Sequence, residues 1–346
     1  MYFGKAVVFI DGMADQSVFL PTFRRHRACW ERAVDALEGR HVRVGVPYEC
    51  VELPGYLLRP DASGAPRPTL VMTNGSDGTL PSLVSYGAEE ALGRGWNAFL
   101  YDGPGQQSML FEHGMPFRPD WEAVLTPVLD ALSARPDVDG EALLGYGISQ
   151  AGYRITRAVA FEHRLRAVVA DPGVVDVGAT WTSALPAPLL ALLDSERKEA
   201  FNEPAGAHAG AVARRKPAFR RKPYVADNLF DLLHEVRAYQ VRDVVGRITT
   251  PMLVLDPDDE QFFPGRPREL FALLPHEKEI LGFTAELGAN WHCQPTGRRF
   301  THTAVLDFLG DHLPPADGRA GAGEGASGRA AAVRRSLTDG GPQAVA

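Results

Sequence analysis

The sequence predicts an α/β fold: a mostly parallel central sheet flanked by helices, with a helical lid inserted between late strands. Three observations carry this. Short apolar runs that stop at Gly, Asn or Asp alternate with longer helical segments. The runs are apolar almost throughout, as strands covered on both faces must be. One long segment, 176–247, breaks the rhythm with helical patterns and no convincing strand.

Taken in order, residues 6–10 (AVVFI) are expected to form a strand or buried edge. The run is too short for a signal-peptide core and meets Asp11 at once. Residues 42–60 read as two strands with outward polar residues alternating, an antiparallel start to the sheet. Strand 68–73 stops at Asn74-Gly75, and helix 82–94 breaks at Gly95. Strand 96–101 ends in Asp102-Gly103-Pro104-Gly105, a turn rather than a phosphate-binding loop. Helix 121–134 starts at Pro119-Asp120. Strand 142–147, helix 151–162 and strand 165–170 follow. Within 176–247, residues 189–201 and 225–239 are helical in pattern. The basic run 214–222 reads as a solvated surface, or as an attractor of an anionic substrate or partner. Strand 251–255, helix 267–274, strand 279–283 and a closing helix 300–313 complete the order. From residue 314 to 346, Ala, Gly, Arg and Ser dominate without aromatics, which predicts a disordered tail, with a docked helix around 330–337 as the alternative.

The chain has 346 residues, 45% apolar and 23% charged, with a net charge of −7. That is ample for a core, and no basic excess is present to neutralise phosphates. No nucleic-acid or membrane partner is expected, since no apolar run reaches bilayer-spanning length. Cys29, Cys50 and Cys293 lack CxxC spacing, which argues against a disulfide framework or a zinc site. A reducing, cytoplasmic setting fits. The expected partner is a small-molecule substrate, with no metal and no cofactor; a homodimer is allowed for.

The chemistry concentrates at Gly147-Ile-Ser149-Gln-Ala151, where a strand ends and a helix begins. A nucleophile elbow needs that context: the turn lifts the serine above the sheet, and small residues at −2 and +2 let the chain pass its neighbours. Alanine at +2 departs from the usual glycine. A helix N-cap serine would occupy the same place, but the strand–turn–helix context favours a nucleophile. The base should follow the acid in chain order. His292, in the loop 287–293 before the closing helix, fits; the other nine histidines fall in or just after helices, in the insertion or before the acid loop. Acid candidates crowd the loop after strand 251–255: Asp256, Asp258, Asp259 and Glu260. The oxyanion donors are expected to be the N–H groups of Gln150 and Ser76, with Asp77 as alternative to the latter. Candidate substrate-binding positions are Asp77, His113, Trp181 and Trp291, with His113 placed to stabilise an enolate.

Together, Asn74-Gly-Ser-Asp-Gly78, Tyr101-Asp-Gly-Pro-Gly-Gln106, the elbow, Asp258-Asp-Glu-Gln-Phe-Phe-Pro264 and Gly288-Ala-Asn-Trp-His-Cys293 resemble α/β-hydrolases. More narrowly, they are similar to the 2,6-dihydropseudooxynicotine hydrolases and polyketide chain-shortening hydrolases. In such sequences the acid lies four residues before a proline, which picks Glu260 ahead of Pro264, with Asp259 and Asp258 as fallbacks. The resemblance implies the α/β-hydrolase fold, with a core of 42–175 and 248–313 and a lid of 176–247. Residues 1–41 would contribute to the lid, Phe23 and Trp30 covering the pocket. It also implies retro-Claisen cleavage of a C–C bond beside a ketone. The expected activity is therefore serine-dependent hydrolysis of an ester or such a C–C bond in a hydrophobic, polyketide-like molecule. The competing expectations are a lyase, dehydratase or cyclase using the same pocket, or a non-catalytic binding protein.

Overall fold

The computed structural model describes residues 2–315 apart from 12, 38, 184 and 204–217. The expected tail, from 316 on, and the first part of the basic run lie outside the described residues.

Eight strands form one sheet in the order β1-β2-β4-β3-β5-β6-β7-β8. They are β1 His41–Tyr48, β2 Val51–Leu58, β3 Arg67–Thr73, β4 Asn97–Tyr101, β5 Val138–Ile148, β6 Val168–Asp171, β7 Met252–Pro257 and β8 Lys278–Phe283. β1 pairs antiparallel with β2, and β2 with β4; every other pairing is parallel. The antiparallel start matches the alternation in 42–60.

Successive residues of the inner strands point to opposite faces. Leu143, Val168 and Val254 join one core layer, beneath the helices Glu122–Ser133 and Ala151–Ala158. Their neighbours Leu144, Val169 and Leu253 join the other, which the closing helix Arg298–Asp311 covers. All six are buried. That double burial is why these strands carry no polar alternation.

Two expectations are corrected. Residues 6–10 belong to a helix, Tyr2–Asp11, not to a strand. Val7 packs on Phe19 and Phe23 of the next helix, Phe19–Asp35, while Val8 and Phe9 face outward. A five-residue apolar run has no readable period, so helix and strand look alike in it. The single helix expected over 82–94 is three pieces, Leu80–Leu83, a wide turn Val84–Ala88 and Glu89–Gly93. Gly87 sits at φ +118°, a conformation only glycine adopts without strain, and it breaks the run.

The segment between β6 and β7 contains short helices, including Gly178–Thr182, Ala187–Asp194 and Leu229–Val236. Its two ends lie side by side: Val241 N–H donates to Val175 C=O at 3.0 Å. The insertion therefore leaves and rejoins the sheet at one place. No helix among the described residues is long and apolar enough to cross a membrane.

Candidate active site

The carboxyl ends of the parallel strands deliver the candidate nucleophile, acid, base and oxyanion loops to one rim, where open α/β sheets place ligands. β5 ends at Ile148 and presents Ser149; β3 feeds the loop from Asn74; β7 feeds the acid loop; β8 leads to the histidine loop.

Ser149 has φ +60°, the left-handed conformation an elbow imposes on its nucleophile. Its N–H donates to Asp171 C=O at 2.5 Å. Ala151 at +2 is fully buried and tolerated. The closest backbone approach falls one residue later: any Cβ on Gly152 would collide with the carbonyl oxygen of Pro172. The glycine requirement has moved along the helix by one position.

His292 Nε2 lies 2.9 Å from Ser149 Oγ. Its Nδ1 lies 2.9 and 2.8 Å from the two oxygens of Glu260. Glu260 Oε1 also accepts the N–H groups of Phe262 and Phe263 at 2.8 and 3.0 Å, so the carboxylate is fixed by its own loop. Phe262 packs edge-on against the His292 ring, centroids 4.6 Å apart. The other acids are occupied elsewhere. Asp259 accepts from the Asn290 side chain at 2.5 Å, Asp256 pairs with Arg268 at 2.7 Å, and Asp258 is exposed.

Behind the site, three buried side chains that sequence reasoning missed hold it in place. Arg154 Nη1 donates to the carbonyls of Asn74 and Gly75 at 2.7 and 2.9 Å. Gln106 Nε2 donates to the same two at 2.7 and 3.3 Å. The Arg154 guanidinium lies over Phe117 and Trp121, 4.4 and 4.7 Å from their centroids. Burial pulls its pKa down to about 10, which leaves it charged at neutral pH. Asp171 accepts from Tyr146 Oη and from Gln294 Nε2, each at 2.9 Å, and so ties β5 to the histidine loop. Its burial pushes the carboxyl pKa up. With the loop carbonyls clamped from behind, the N–H groups of Ser76 and Gln150 have no backbone acceptor among the described residues.

In front of Ser149 lies a pocket of about 360 Å3, lined by Ser76, Gln150, Val177, Thr180, Trp181, Arg220, Phe262 and Phe263. A second, of about 430 Å3, also touches Ser76; it runs under the first two helices between Val7, Phe19 and Phe111. Among the described residues no cluster of three or more His, Cys, Asp or Glu is placed to hold a metal.

No family model matches the chain. It is 35% identical over 180 residues to an α/β-hydrolase of an Acremonium species, across 47% of this chain and 36% of the relative. It is 35% identical over 153 residues to the 20-hydroxy-prefusarin hydrolase of Gibberella moniliformis, across 41% of this chain and 35% of that one. The crystal structure of a 2,6-dihydroxy-pseudo-oxynicotine hydrolase superposes with a TM-score of 0.68 at 20% identity, over 90% of this chain and 80% of that one. The chain has the α/β-hydrolase fold. Its match spans less than half the length of those two curated relatives.

In this fold Ser149, Gln150, Ser76 and Trp181 line one pocket, His292 and Glu260 reach it through Ser149, and Asp77 lines the second pocket beside Ser76. Two candidates do not join them. His113 is exposed and lines none of the pockets described above, and Trp291 is 48% exposed, its backbone bridged to Asp259. The chain direction at Trp291 is set by that bridge, which turns His292 inward and its neighbour outward.

Gly75 supplies a sharp test of how tightly the site is built. A Cβ there would lie 2.7 Å from Ser149 Cβ and 3.1 Å from Ser149 Oγ. Gly75→Ala must therefore shift either Ser149 or the loop carrying Ser76. Labelling of Ser149 by a fluorophosphonate is expected to slow by about 100-fold, as displacements of roughly 1 Å do, with little change in melting temperature. A labelling rate equal to wild type would show that the loop is free to retreat.

Proposed function

We propose that this chain is a serine-dependent hydrolase that cleaves an ester or a ketone-adjacent C–C bond of a hydrophobic, polyketide-like small molecule through an acyl-enzyme. The observation that carries the reading is the continuous relay from Ser149 Oγ through His292 to Glu260, opening on a pocket. His292 Nε2 takes the Ser149 proton as Oγ attacks the substrate carbonyl. Glu260 holds the ring with its proton on Nδ1 and stabilises the imidazolium. The N–H groups of Gln150 and Ser76 receive the oxyanion. Collapse expels an alkoxide or an enolate, which His292 protonates. Water, deprotonated by His292, then attacks the acyl carbonyl and releases Ser149.

The hydrolase names of the curated relatives support this reading, as do the aromatic and aliphatic walls of both pockets. The insertion and the first two helices act as the lid, since each contributes wall residues. A reducing, cytoplasmic setting is part of the proposal and agrees with three free cysteines.

Reaction with a fluorophosphonate, read by peptide mass spectrometry, tests it. Wild type should be labelled at Ser149, and His292→Ala should react at least about 1,000-fold more slowly. A folded wild type that stays unlabelled would overturn the acyl-enzyme mechanism and favour lyase-type chemistry or simple binding.

A further inference from the structure

We propose that Arg220 selects the substrate: its guanidinium binds a carboxylate-class anion carried on the acyl part of the molecule that Ser149 attacks. The inference rests on the hydrolase reading for the identity of the reacting bond, but not for the binding itself.

Among the described residues lining the Ser149 pocket, Arg220 is the charged one. Its guanidinium carbon sits 4.5 Å over the Phe262 ring, and that ring packs on His292 at 4.6 Å. The charge is thus held one aromatic ring away from the catalytic base, on a planar surface that fixes the direction of its donors. A guanidinium so presented offers two parallel N–H groups, which match a carboxylate and not a neutral oxygen.

Its ion pair with Asp77 is weak by geometry. The contact is 3.5 Å, and the Asp77 side chain is 40% exposed. At that length the pair contributes little, because water competes for the exposed Asp77 carboxylate. The arginine side chain is only 22% exposed. A substrate carboxylate entering the pocket would therefore meet the cation in a less watery place than Asp77 does, and would displace Asp77 towards solvent. The chain as a whole is negative, −7, so its net charge does not draw an anion in. Recognition has to be local, and Arg220 is where the pocket provides it.

Two esters with the same leaving group and the same four-carbon acyl length separate this role from a latch between insertion and core. They are 4-nitrophenyl butyrate and the mono-4-nitrophenyl ester of succinate. Arg220→Gln is expected to lower kcat/KM for the succinate ester by about 10- to 100-fold, chiefly through KM, and to change butyrate turnover by less than about threefold. Arg220→Lys, which keeps the charge but loses the fork, should fall between. Equal losses on both esters would overturn the proposal, as a latch predicts, and so would unchanged succinate turnover. Binding gives a second readout that needs no turnover. Ser149→Ala protein should hold monoethyl succinate at least about tenfold more tightly than ethyl butyrate in calorimetry, and adding Arg220→Gln should erase the difference. Equal binding of the two sinks the selection role alone. A binding preference without any ester hydrolysis would keep it and strike the hydrolase reading instead.

Discussion

Glu260→Gln is expected to lower kcat about 1,000- to 10,000-fold while leaving the fold and KM close to wild type. The reason lies in which atoms the carboxylate serves. One oxygen accepts two backbone N–H groups, from Phe262 and Phe263, and both oxygens face His292 Nδ1. An amide has only one oxygen to offer. If it stays on the backbone donors, the amide NH2 faces Nδ1. The imidazole must then accept at Nδ1 and carry its proton on Nε2, 2.9 Å from Ser149 Oγ, where it cannot take the serine proton. If the amide turns over, its NH2 meets two N–H groups and the loop carrying Phe262 loses its anchor. Either way the imidazolium of the transition state has lost its counter-charge. The expected loss corresponds to about 4 to 5.5 kcal/mol of barrier. Steady-state kinetics on an activated ester, with melting curves of both proteins, check it. A variant within tenfold of wild type would mean that another acid serves the histidine.

The parts of this arrangement that were legible in the sequence are those fixed by local chain geometry. The strand–turn–helix around Ser149 and the loop before the closing helix place the candidate nucleophile and base by their position in the chain order. The resemblance to related sequences points to Glu260, four residues before Pro264, and the geometry gives a physical reason: of the loop acids, Glu260 alone turns back onto its own loop N–H groups and the histidine. Asp259 is drawn instead to Asn290. What stayed hidden depends on contacts far apart in sequence. Arg154 and Asn74 meet across 80 residues, and Asp171 and Gln294 across 123. No periodicity reports such pairs. A faint signal did exist at Arg154: its helix neighbours Ala151, Ile155 and Ala158 are buried, so an arginine among them has to be buried and partnered too. Trp291 misled for the opposite reason. Adjacent residues in an extended loop point to opposite sides, so a tryptophan next to the inward histidine faces out.

Arg154→Met is expected to separate catalysis from stability. The wild-type guanidinium is wholly buried, and among the described residues no carboxylate pairs with it. Its charge is met by two aromatic faces and two carbonyl oxygens. Removing a buried ion recovers much of the cost of stripping its water, and methionine fills comparable space, so the melting temperature should move by only a few degrees. Gln106 remains to hold Asn74 and, less closely, Gly75. The chemistry has no such substitute. The Gly75 carbonyl belongs to the same peptide unit as the Ser76 N–H, the proposed oxyanion donor. A cation bonded to that carbonyl polarises the N–H towards the pocket, and hydrogen bonds in a low-dielectric setting strengthen one another along a chain. Losing it should lower kcat by about 100-fold, on the scale of one oxyanion donor, with KM little changed. Arg154→Lys should recover only part, because an ammonium cannot lie flat between Phe117 and Trp121 while reaching both carbonyls. Paired kinetics and melting curves decide the matter: activity lost only in step with folded protein would assign Arg154 to the scaffold, whereas a stable, folded, slow enzyme would assign it to the oxyanion loop.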